Sequence, residues 1–572
     1  MSAQKDEKVP TRHPRPCACM GHWWPDRRGL LTGVAATSLA ATTSLAAFPS
    51  FGPGPAQAAE GNPGRGQKIL IKGGNVVTMN DDKRDFTPGD ILIDGDRIVA
   101  VEHTIDAADA FIIDARGMIV IPGMIDTHRH TRQSTVHAVG PDWLLNDYFR
   151  VMRGVLGPVY RPQDLYVATR LGALEAIDSG TTTLVDWAHL MNTPAHADAS
   201  VHALRDSNIR AVFGYGNSNA GFQLPNTIRL DAADAKRVRD QYFTGSGLVT
   251  MALAVRGPDY SPEEVWADDF KAARDLGLPI TVHVGSNGSY SYSVGQLNKA
   301  KLLGPDITHV HCNSLKDDEY KMIADSGGTV SVSAESEMHL GCGITPLPRL
   351  LAHGIRPSLS TDVPSVNSCD MFGALRTVLG THRGVISQQM LDHPDQKPVS
   401  RLTTREMLEF ATVRGAAATG LSGKVGRLAP GMQADVVLIT YKRVGLFPLH
   451  NAAALAVIYA TPADVDTVLV AGKVLKRGGK LQGIDYAALI RDAEASATTF
   501  IPNQRWTPGL LPTRFRLSAG GCQRQCTRTP VGPPDRRSHS PDPWPGARKA
   551  LKAPNCMKNN VFFQVEILTN VR

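Results

Sequence analysis

Two histidines one residue apart, His128 and His130, close the run Ile121-Pro-Gly-Met-Ile-Asp-Thr-His-Arg-His130. Side chains at i and i+2 leave the same face of a strand. Both imidazoles can therefore aim at one point just past the strand end. Neutral imidazole is a common ligand of borderline divalent metals. A metal with one free position lowers the pKa of bound water from about 15.7 toward about 7 and so makes a nucleophile at neutral pH. Three more residues able to bind metal or move protons end apolar runs downstream: His283, His311 and Asp362. His309 shares a face with His311 and is the alternative to it.

These residues need a scaffold that brings distant strand ends together. Short apolar runs recur at 181–186, 210–215, 248–255, 279–284, 307–312, 329–333 and 355–362, separated by helical stretches. With the His-x-His run they make eight strands, which predicts a (β/α)8 TIM-type barrel. Such barrels carry their sites at the C-terminal ends of the strands, which is where all five residues fall. The β-rich flanks, Lys68–Thr78, Asp90–Val101 and Ala110–Val120 before the barrel, Gly431–Thr440 and Val465–Leu475 after it, predict one small β-sandwich. The expected organisation is 59–120 and 426–485 for the two sandwich parts, 121–425 for the barrel, and 486–513 for a C-terminal extension.

The Pro122-Gly-Met-Ile-Asp-Thr-His-x-His signature, with the strand-end residues after it, resembles the amidohydrolase superfamily, in the branch with triazine hydrolases and cytosine deaminases, over most of residues 68–480. The resemblance implies one divalent metal on His128, His130, His283 and Asp362, with His311 assisting catalysis and Asp362 doubling as general base. It also implies a non-peptide carbon–nitrogen bond as target, in a small amide, urea, carbamate or heteroaromatic amine. Zinc is the first choice of ion, with iron, manganese and cobalt also compatible with the donors. Strand four ends Val255-Arg256-Gly257, with none of the lysine that two-metal members carboxylate there. Deaminase-like members carry a Glu three residues after the strand-five His; here the residue is Ser286, and Glu335 or Glu337 past strand seven could supply the missing carboxylate, Glu337 being taken as catalytic. That departure motivates one alternative, a catalytically silent barrel that binds a small molecule, and a metal-dependent lyase is a further one. Trp143, Tyr148, Phe149 and Trp187 are expected to wall the substrate pocket.

The formal charge of +7 resides at the ends: residues 1–58 carry +3 and residues 514–572 carry +8, which leaves −4 between them. No basic stripe runs through the folded part, so nucleic acid is not an expected partner. A small-molecule substrate is, and homo-oligomerisation stays open. Arg27-Arg28 before the modest apolar run Leu30–Phe48, with Ala56-Gln-Ala58 after it, reads as a twin-arginine export signal over 1–58. The expected location is periplasmic or secreted, without stable membrane insertion, since Pro49, Pro53 and Pro55 break the run. Three of eight cysteines, Cys312, Cys342 and Cys369, lie in the body, too few for a disulfide framework. Residues 514–572, rich in Pro, Arg and Ser, read as disordered.

Overall fold

The computed structural model of the 572-residue chain describes residues 62–64, 66–287, 291–395 and 401–500. The expected export signal and the basic tail lie outside the described residues.

Eight parallel strands follow one another around a sheet in chain order: Met124–Arg129, Thr181–Ala188, Arg210–Tyr215, Val249–Val255, Ile280–Val284, Ile307–His311, Thr329–Val332 and Ser358–Leu359. A parallel bridge between Arg129 and Asp362 joins the first strand to the eighth. The TIM-type barrel is thereby closed, with helices such as Pro162–Asp178, Glu263–Asp275 and Asp317–Ser326 in the connections. The eighth strand is much shorter than its apolar run. Pro357 has no N–H for the ladder, and Asp362 turns left-handed at φ 65°.

The motif run is two strands, not one. Met118–Pro122 belongs to a second sheet, and the barrel strand starts only at Met124. Gly123 is the break between them: a Cβ there would stand 2.0 Å from Thr182 Oγ1. The boundary expected at residue 121 thus moves to Gly123. Both flanks enter the second sheet, nine-stranded and mixed, where Met118–Pro122 pairs antiparallel with Val436–Thr440. Ile71, Phe86, Ile98 and Phe111 of the first flank share one core with Leu438, Leu469 and Val474 of the second. The sheet is tied to the barrel by a buried bidentate ion pair, in which Arg210 Nε and Nη2 donate to Asp435 at 2.8 and 2.9 Å. The extension begins as a helix, Tyr486–Phe500, docked on Pro162–Asp178, where Ser496 Oγ donates to Asp164 at 3.0 Å. Among the described residues no helix is long and apolar enough to cross a membrane.

Candidate metal centre and its cavity

Strand alternation sends Arg129 away from its neighbours, to Glu175 and the Cys369 carbonyl, and leaves His128 and His130 on the site side. The backbone then locks strand one to strand eight: Asp362 N donates to His128 O at 3.0 Å, and His130 N to Asp362 O at 2.8 Å. Beneath them Asp126 accepts from Thr361 N and Oγ1 at 3.1 and 2.5 Å. This lattice holds Asp362 at its left-handed φ, a conformation that costs a non-glycine residue of order 1–3 kcal/mol.

Asp362 Oδ1 comes within 3.1 Å of His128 Nε2 and 3.4 Å of His130 Nε2. The ligand atoms of His128, His130 and His283 lie within 4.8 Å of one another, as do those of His128, His311 and Asp362. His130 Nδ1 faces the Trp187 carbonyl at 3.2 Å. An N–H on that side leaves the Nε2 lone pair turned toward a carboxylate oxygen. Two acceptors at that distance repel unless a cation or proton stands between them, so the donor set fits a bound metal. Burial and neighbouring imidazoles push His130 and His283 well below the ordinary histidine range, into the neutral ligating form. Burial would raise Asp362, but the hydrogen bond to His128 leads the contacts that outweigh it and hold the carboxyl below its ordinary range.

His311 leaves strand six at φ 77° and faces the same point. His309, the alternative, turns away, its Nδ1 3.2 Å from the Thr329 carbonyl and its ring pushed by burial to a pKa of about 4. Glu337 stands behind His311. Its Oε1 lies 3.2 Å from His311 Nδ1 and accepts from Ser333 N at 2.7 Å. Its Oε2 accepts from Asn313 Nδ2 at 3.0 Å and Thr345 Oγ1 at 2.5 Å. The carboxylate expected to face the leaving group is instead engaged by four hydrogen bonds, one of them with His311, because the helix Ala334–His339 curls it back onto its own N-terminus. Glu335 points elsewhere, to Thr377 Oγ1 at 3.2 Å.

A cleft of about 610 Å³, partly open to solvent, ends on His130, His283, His311 and Asp362. Tyr148, Phe149, Phe222 and Leu224 form its apolar wall. Trp187 is not in that wall. It is a strand residue, 1% exposed, packed on His283 with ring centroids 3.9 Å apart. Trp143 is buried away from the cleft. Ser286 is in the cleft and pairs with the Tyr260 hydroxyl at 2.5 Å. Asp362 is the sole carboxylate lining it among the described residues.

The amidohydrolase family model matches residues 119–475. A 5'-deoxyadenosine deaminase from Methanothermobacter thermautotrophicus is 30% identical over 448 residues, 75% of this chain and 98% of that protein. This chain belongs to the amidohydrolase family. A 5-methylthioadenosine/S-adenosylhomocysteine deaminase from Desulfitobacterium hafniense is 29% identical over 445 residues, covering 75% of this amidohydrolase and 98% of the relative. Among solved structures, a zinc-bound adenosine deaminase from Xanthomonas campestris aligns with TM-score 0.67 and 22% identity over 76% of this chain and 99% of its own. A zinc complex of atrazine chlorohydrolase from Arthrobacter aurescens aligns with TM-score 0.65 and 23% identity over 75% and 100%. At these identities the structural likeness speaks to the fold.

Besides Tyr260, Phe222 and Leu224, three charged or titratable cleft residues of this amidohydrolase are not marked by the sequence motifs. His189, just past strand two, stacks on His130 with centroids 4.6 Å apart. A search for polar residues at every strand end would have found it. Arg153 donates to His189 Nε2 at 3.0 Å and to Asn219 Oδ1 at 2.7 Å. It sits on the helical loop Phe149–Leu156, and nothing in its local sequence marks it. Arg256, read only as an absent lysine, lines the cleft at the end of strand four.

Proposed function

We propose that this amidohydrolase hydrolyses a carbon–nitrogen bond of a small heteroaromatic amine or a related amide, with one divalent metal held by His128, His130, His283 and Asp362. One observation carries the reading: the imidazoles of His128, His130 and His283 converge with the Asp362 carboxylate at the end of a ring-walled cleft. The deaminase names of the curated relatives support an amino-heteroaromatic substrate. Zinc is the proposed ion. When bound, it would supply a water acidic enough to ionise near neutral pH and a positive charge for a developing oxyanion.

The protein groups do the rest. Asp362, with Oδ2 fixed by Ser336 Oγ at 2.5 Å, accepts the proton of the attacking water on Oδ1. His311, its Nδ1 side held by Glu337, presents Nε2 to the substrate and stabilises charge on the attacked carbon's substituent. Tyr148, Phe149 and Phe222 stack on a flat ring and keep bulk water out. Tyr260 and Ser286 place hydroxyls where deaminase-like members carry Glu, so proton delivery to the leaving nitrogen falls to His311 and this pair. Export by the twin-arginine route belongs to the same proposal, since that route carries proteins folded around their metal.

The test is a screen of zinc-loaded protein against amino-heteroaromatics, amides, ureas and carbamates, read as ammonia or amine release. Turnover that disappears on chelation and in Asp362→Asn is the expected result. Saturable binding without turnover in fully metallated protein would instead establish the silent binding barrel, the reading that Ser286 favours.

A further inference from the structure

Arg256 is a buried cation whose charge no side chain among the described residues answers by contact. It is 7% exposed and lines the cleft, and none of Nε, Nη1 and Nη2 has a hydrogen-bond partner. The carboxylate whose charge reaches it, Asp269, is committed elsewhere: it accepts from Leu230 N at 2.9 Å and Asn217 Nδ2 at 3.4 Å. Arg153, the second cleft arginine, has only neutral partners among the described residues, in Asn219, His189 and the Phe222 ring, whose centroid is 4.9 Å from its guanidinium carbon. Against these two guanidinium groups the described residues of the cleft set one carboxylate, Asp362, which the histidines already engage. A buried charge left unpaired is costly and is normally matched by an opposite charge.

Resting on the hydrolase reading, we propose that Arg256 is a specificity subsite for an anionic group on the substrate, a carboxylate held in the fork of its guanidinium. Burial lowers Arg256 only to about 10, so it remains a cation at neutral pH. The planar fork matches a carboxylate with two parallel N–H···O bonds, a geometry lysine cannot reproduce. Arg256 leaves strand four while the metal residues leave strands one, five, six and eight, so the subsite is on the same rim of the barrel as the chemistry. The substrate class is then an amino-heteroaromatic acid, its ring against Phe149 and Phe222, its amine toward His311 and Asp362, and its acid group on Arg256. Arg153 stands as a second positive charge on the same wall.

The test is a titration of full-length, zinc-loaded protein by calorimetry with 6-aminonicotinate and its neutral counterpart 6-aminonicotinamide. The carboxylate should bind at least about tenfold tighter. Arg256→Met should bring the ratio close to one, and Arg256→Lys should restore only part of it, with zinc content unchanged in both as evidence of an intact site. Equal affinity of the two compounds, or no binding of either, overturns the proposal, and so does a preference that survives Arg256→Met. A second arm titrates sodium acetate. Acetate that binds through Arg256 without displacing 6-aminonicotinate identifies a site for free anions and overturns the substrate assignment. Because binding is read apart from turnover, failure here leaves the hydrolase reading standing, and loss of turnover there leaves the subsite measurable.

Discussion

Replacing Glu337 with Gln tests whether that carboxylate acts through His311 or on the substrate directly. In the structure its Oε1 takes His311 Nδ1 at 3.2 Å and Ser333 N at 2.7 Å, while Oε2 takes Asn313 Nδ2 and Thr345 Oγ1. An amide can keep the Oε1 contacts. At the Oε2 position, however, it sets its own N–H groups against two donors, and it removes the negative charge behind His311. A hydrogen bond to a charged group is worth about 1.5–3 kcal/mol, which corresponds to a fall in kcat of about 10- to 150-fold. His311→Ala should cost about 10²–10⁴, the usual size of a lost general acid–base group. The double variant decides between the two roles. If Glu337 works only by orienting His311, removing it from an enzyme that already lacks His311 costs nothing more, so the double variant matches His311→Ala. Steady-state kinetics of the four proteins, with zinc measured in each, is the assay. Multiplying losses would refute the positioning role and return Glu337 to the leaving group. Full activity in Glu337→Gln would refute any role.

Other expectations follow from the same geometry. His283→Ala should lose zinc during dialysis, as read by elemental analysis, and undiminished metal would remove His283 from the ligand set. Asp435→Asn breaks the buried pair with Arg210 (4% and 1% exposed side chains) and should lower unfolding stability by about 3–5 kcal/mol in denaturant titrations; a loss under 1 kcal/mol would mean that sheet and barrel are not coupled there. Burial raises Asp269 from 3.8 to about 6. A carboxyl raised in the folded state binds its proton more tightly there, so its stability contribution is full below pH 4 and is lost as pH rises toward 6. The loss is about 3 kcal/mol at most. Asp269→Asn should flatten the stability curve across that window, and an unchanged slope between pH 4 and 6 would place its titration elsewhere.

Periodicity and residue type determined a good part of this protein before any contact was known. Eight apolar runs of strand length fixed the barrel, because a buried parallel strand needs little more than β-branched continuity. The i, i+2 rule placed His128 and His130 on one face, and the strand-end rule pointed to His283, His311 and Asp362, which the fold brings together. Only tertiary structure decided what depends on neighbours distant in sequence. Ile121 and Gly123 look like the start of a barrel strand, yet Ile121 pairs with Val437, more than 300 residues away. Glu337 lies behind His311 instead of facing the substrate because a six-residue helix turns it back, and no local pattern encodes that turn. Trp187 looks like a pocket wall but packs beneath the histidines, where one side of a strand faces the barrel core. Arg153 and Arg256 are ordinary surface residues by composition. Their significance, two cations in one cleft with a single carboxylate among the described residues, exists only once strand ends and the Phe149–Leu156 loop converge, because burial and pairing are properties of the assembled surroundings and not of the residue.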